Sequence, residues 1–103
     1  PIVVRGRLVD VHGNAVRGSI CALRMPSQPG MGHDVVIANA DDSGRFEFAA
    51  LAPDVQLLMD QRRYDARIKS GSMRDIDANT PSVVRVDGRL GNAFGVTVIA
   101  GTD

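Results

Sequence analysis

The chain is written in short runs that alternate apolar and polar residues, each cut off by Gly, Pro, Asn or Asp. In "IVVRGRLVD", Ile2, Val4 and Leu8 fall on one side of a period-two pattern and Arg5 and Arg7 on the other. "RFEF" sets Phe46 and Phe48 against Arg45 and Glu47, and "SICALRM" gathers Cys21, Leu23 and Met25. Successive side chains of a strand point to opposite faces, so each run can bury one face and wet the other. "DVVIANA", β-branched and then polar, and the short runs "VQLLMD", "SVVRV" and "FGVTVIA" also read as strands. So does "YDARIKS", where Tyr64, Ala66 and Ile68 oppose Asp65, Arg67 and Lys69. Many short strands at this spacing predict an all-β sandwich or barrel. No long helix is expected, because the best stretch, "AALAPDVQLLMDQRR", carries Pro53 in its middle. A turn before Pro53 and a strand after it are expected instead.

The breaks carry their own information. "DVHGN", "PSQPGMG", "DDSG", "SGSMRDIDANTP" and "DGRLGN" are turn or loop signals, and 26–33 is expected to be a mobile loop. At 103 residues the chain is long enough for one hydrophobic core, so 1–103 is read as a single domain. A formal net charge of +0 argues against a nucleic-acid binder, which needs a basic surplus. Charge is nevertheless uneven: between residues 34 and 60 six acids face one base, Arg45. The single cysteine, Cys21, cannot form an internal disulfide and sits in an apolar run, as a small buried hydrophobe does. No apolar run reaches the roughly 18 residues of a membrane span, and no signal segment is evident.

Candidates for chemistry are few. Asp41, Asp42 and Glu47 are weak candidates for a cation site, since Ca²⁺ takes several oxygens at alternating positions. Their spacing matches no EF-hand, and Glu47 falls inside a predicted strand. The alternative is a turn in which Asp41, Asp42 and Ser43 bond back to the backbone while Gly44 supplies a positive φ. His12 and His33 lie beside glycines in predicted loops, without the close Cys, His or acid spacing of a zinc site. Pro1 invites comparison with enzymes that use an N-terminal proline amine as a base, but those continue into a long helix. Arg62 and Arg63, near Arg67, form a basic cluster that can meet an acidic partner. With no tryptophan and one tyrosine, the chain lacks the aromatic platforms that stack on sugars.

"VVRGRLVDVHGNAVRGSICAL" resembles the opening of carboxypeptidase regulatory-like domains, G-x-V-x-D-x-x-G-x-P-V-x-G-A-x-V. Gly6, Asp10, Gly13, Val16 and Gly18 fall in register, and Ala15 replaces the proline. "ANADDSGRFEFAAL" resembles the next signature, D-x-x-G-x-F-x-F and a leucine, through Asp41, Gly44, Phe46, Phe48 and Leu51. The match runs to about Val86 and leaves 86–103 poorly covered. It implies a transthyretin-like Greek-key β-sandwich of about seven to eight short strands. It also implies an accessory module beside other domains of a larger, often extracytoplasmic, protein. Catalytic relatives of that fold fit poorly. The hydroxyisourate hydrolases end in Tyr-Arg-Gly-Ser where this chain reads "IAGTD", and one tyrosine cannot supply the iron ligands of intradiol dioxygenases. The lone lysine, Lys69, is misplaced for a pilin-type isopeptide bond.

The expectation is a non-catalytic interaction or spacer module that needs no cofactor and binds another protein or another domain of its parent. Edge strands are the expected surface, above all 94–100, which is β-prone and almost uncharged. Phe94, Val96 and Val98 there, with Arg62 and Arg63, are the expected interaction residues, and self-association through that edge is a further possibility. Two other readings stand beside it: a small hydrolase or isomerase with a loop site near His12 and His33, and an adaptor domain of a secretion or phage-tail spike.

Overall fold

A computed structural model of the chain describes residues 2–24, 35–50, 55–71 and 83–101. The described residues form seven strands and one α-helix. In chain order they are β1 (Ile2–Val9), β2 (Gly18–Arg24), β3 (Val35–Ala40), β4 (Arg45–Ala50) and β5 (Val55–Asp60). Then come α1 (Gln61–Ser70), β6 (Val84–Asp87), a 3₁₀ turn (Gly88–Leu90) and β7 (Ala93–Ile99). They make two sheets, ordered β4-β1-β7 and β3-β2-β5-β6, and so an all-β sandwich. After β3 and β4, the chain returns in β5 to lie beside β2, as a Greek key does. The expected loop at 26–33 and the turn at Pro53 lie outside the described residues.

Alternation sets the register. In the antiparallel β1–β4 pair Val4 faces Phe48, Gly6 faces Phe46, Arg5 faces Glu47 and Arg7 faces Arg45. The apolar half turns inward, where Ile2, Val4, Leu8, Phe46, Phe48 and Val98 meet Ile20, Ala22, Leu58 and Val86 of the second sheet. Each fully buried aliphatic side chain in such a core stabilises the fold by about 1.5–3 kcal/mol. The Phe46 and Phe48 rings stack at 6.4 Å between centroids. Gly6 makes room for the Phe46 ring and for β7, since a Cβ there would collide with Phe46 Cζ and the Val96 carbonyl oxygen.

β7 runs parallel to β1, and their pairing slips between Val4–Ala93 and Gly6–Val96. Two steps along β1 match three along β7, a β-bulge that Gly95 accommodates at φ 76°. The inner strands of the four-stranded sheet, β2 and β5, are buried on both faces. Cys21, Leu23, Leu57, Met59 and Val83 form a second cluster on its outer side, with Tyr64 of α1 packed against it.

α1 corrects the expectation of a strand at "YDARIKS". Residues 61–70 are polar around most of the helix, so their period-two pattern mimics a half-buried strand. Good helix formers (Gln61, Arg62, Arg63, Ala66, Arg67, Lys69) favour the helix, and the uncovered outer face of β2 and β5 gives Tyr64 a place to pack. Gly71 closes the helix at φ 74°, donating to the Arg67 and Ile68 carbonyls, and Arg67 and Lys69 complement the dipole in the last turn.

Candidate functional site

The acidic turn has a repeated construction. Asp41 N donates to Arg45 O at 3.0 Å and Gly44 N donates to Asp41 O at 2.8 Å. Asp41 Oδ1 accepts from Ser43 N at 2.9 Å and from Arg45 N at 3.0 Å. The 10–14 turn repeats this atom for atom: Asp10 N donates to Asn14 O, Gly13 N to Asp10 O, and Asp10 Oδ1 accepts from His12 N and Asn14 N. The hydrogen bonds from the Asn14 backbone, foremost, and the His12 backbone hold the Asp10 carboxyl below its ordinary range. Leu8 of β1 links the chain on either side: its N donates to Gly44 O at 2.7 Å in the second turn, and its O accepts from Val16 N at 3.0 Å, just past the first. β3 and β4 lie in different sheets, so the 41–45 turn is a corner that carries the chain from one layer to the other.

The three candidate cation ligands do not converge. Asp41 serves backbone amides, Asp42 pairs with Arg17 at 3.4 Å, and Glu47 pairs with Arg5 at 2.7 Å. Among the described residues no three His, Cys, Asp or Glu side chains gather to hold a metal ion. His12 is exposed in the first turn, and His33 lies outside the described residues. Cys21 is fully buried, and desolvation pushes its thiol up to about 12. A thiol in that state is a poor nucleophile.

The expected interaction residues part company. β7 is an edge strand, paired on one side by β1 and by no described strand on the other. Phe94 stands on its outer face at 58% exposure, with the Arg5 guanidinium 4.9 Å above its ring. Val96 is half-buried and Val98 fully buried, so both belong to the core side of the strand. Arg62 is exposed and pairs with buried Asp60 at 3.3 Å, whose Oδ2 also accepts from Gly101 N. Arg63 is only 5% exposed. The basic cluster expected at 62–63 is therefore divided, because neighbours on a helix point about 100° apart.

One surface escaped the sequence reading. The outer face of the β4-β1-β7 sheet carries Arg5, Arg7 and Arg45 over a shallow concavity of about 520 Å³ that reaches Glu47 and Gly95. Its signal, arginines at alternate positions of β1 and at the start of β4, was visible, but the register that sets Arg7 against Arg45 was not. No protein-family model, no curated protein and no solved structure matches the chain.

Proposed function

We propose that the chain is a non-catalytic interaction module of the carboxypeptidase regulatory-like, transthyretin-like kind, which docks another protein, another domain of its parent or a second copy through β7. The observation that carries this reading is the edge position of β7, with the exposed Phe94 ring beside it and Leu90, 86% exposed, at its approach. An edge strand offers alternate backbone amides and carbonyls to an incoming strand, and flanking apolar side chains add area. The way polar side chains are used supports the same reading. Asp10 and Asp41 build turns, Asp87 accepts from Arg89 N, Nε and Nη2, and Cys21 is buried in a core. These groups hold the fold in shape. The glycines shared with that family's pattern also have mechanical roles here: Gly6 under Phe46, Gly44 against Leu8.

Sedimentation equilibrium across a wide concentration range, with amide hydrogen exchange of β7, tests the reading. Association that protects the β7 amides, and that Phe94→Ser with Thr97→Lys abolishes in a folded protein, is the expected result. A chain that stays monomeric at every concentration, leaves β7 unprotected with candidate partner domains and turns over a small ester dependent on His12 would overturn it.

A further inference from the structure

We propose that the outer face of the β4-β1-β7 sheet docks an acidic, extended peptide segment, whose carboxylates are taken by Arg7 and Arg45. The inference rests on the interaction-module reading and names the partner's chemistry. Arg7 and Arg45 are directly opposite in the β1–β4 register, and both are exposed. Like charges across a strand pair destabilise it unless an acid lies between them. Among the described residues no ion pair or side-chain hydrogen bond relieves either guanidinium. The one acid at the neighbouring pair of positions, Glu47, is already bound to Arg5 Nε at 2.7 Å. Arg5 is thereby pinned between Glu47 and the Phe94 ring. At the rim of the concavity Asp41 is bonded to two backbone amides.

The face thus presents two unpaired guanidiniums beside a fixed third, on a chain whose formal net charge is +0. Guanidinium forks suit carboxylates, which they bind through paired N–H donors. Neighbouring strands lie about 4.8 Å apart and alternate residues of an extended peptide about 6.6 Å apart, so two arginines on adjacent strands can each meet one acid. On the β7 side Arg7 neighbours the small side chain of Thr97, which leaves room over the face for an extended segment. Nucleic acid is disfavoured because it calls for a broad basic field, whereas this patch is narrow and flanked by Glu47.

The test is fluorescence anisotropy of the intact chain with a labelled octapeptide carrying Asp or Glu at alternate positions. Its Asn/Gln analogue and a single-stranded oligonucleotide serve as comparisons. The acidic peptide should bind at least about tenfold more tightly than its amide analogue, and the difference should fade in high salt. Arg7→Gln and Arg45→Gln should each weaken binding by about fivefold or more while leaving the thermal midpoint unchanged or raised. Arg17→Gln, off this face, should bind as the parent does. Equal binding of acidic and amide peptides, indifference to both arginine substitutions, or preference for the oligonucleotide would each overturn the proposal. If it fails while β7 still mediates association, the module reading survives alone; if β7 is indifferent as well, both fall.

Discussion

Gly44 holds two requirements at one position. Its φ is 75°, where an L side chain costs roughly 1–2 kcal/mol. A Cβ there would also stand 2.5 Å from the Leu8 carbonyl oxygen, an atom fixed by its bond from Val16 N. Gly13 occupies the same place in the 10–14 turn at φ 84°, yet a Cβ would meet nothing within 4 Å. Gly13→Ala should therefore cost about 1–2 kcal/mol, and Gly44→Ala about 1–3 kcal/mol more. Urea unfolding of the two variants measures the difference, and equal losses would show that the corner is not packed as described. Asp42→Asn should change stability by less than about 0.5 kcal/mol, because its pair with Arg17 is solvent-exposed. These turns were legible in the sequence. Asp, then Gly three residues on, between alternating runs, dictates local hydrogen bonds that need no tertiary partner. That the 41–45 turn joins two sheets was not legible, since the same local geometry closes an ordinary hairpin.

β1 and β4 coincide with runs whose alternation is clean, and β2 and β5 read through although both faces of each are buried, because each is a short apolar run. α1 did not. Asp60, its N-cap, makes no side-chain cap hydrogen bond and turns instead to Gly101 and Arg62, so no capping signature marks the start. The helix depends on the surface it covers, and β2 offers that surface through Cys21 and Leu23. This makes Cys21 a reporter for the element. Its buried thiol, held neutral by desolvation, should react with a thiol reagent at pH 8 at least about 100-fold more slowly than an unfolded-chain cysteine. Tyr64→Ala should shorten that protection while global stability falls by about 1–3 kcal/mol. Rapid labelling of the folded parent would show that α1 does not cover the sheet. For the candidate surface, β7 does stand at a sheet edge, but its β-prone, uncharged sequence does not itself mark one, since native edges usually carry charges or breakers. The meeting of Arg7 and Arg45 depends on strand register, which only the packed core fixes.

At the level of the molecule, ionisable groups define a plateau of stability. Hydrogen bonds from the Arg89 side chain, then its backbone, lower the Asp87 carboxyl to about 2, and Asp10 is lowered in the same direction. A carboxyl lowered on folding adds stability above its ordinary value of 3.8, and that stability disappears as the pH falls toward the folded value. Cys21 titrates the other way, raised from 9.0 to about 12, with Tyr64 also raised by burial. Above pH 9 the unfolded chain releases a proton that the folded chain retains, so stability falls as the pH rises toward 12. Both limbs follow from folding, not from any ligand: Asp87 and Asp10 share the acid one, and Cys21 and Tyr64 the alkaline one. Asp87→Asn should make the acid limb shallower between pH 3.8 and 2, leaving the part due to Asp10, and keep the alkaline limb intact. Cys21→Ala should do the reverse, at the cost of a small cavity beside Leu23 and Met59. Urea midpoints measured from pH 2 to 11 provide the check. If Asp87→Asn and the parent lose stability in parallel below pH 3.8, the Arg89 bonds to Asp87 do not persist in solution, and the approach to β7 is looser than its geometry implies.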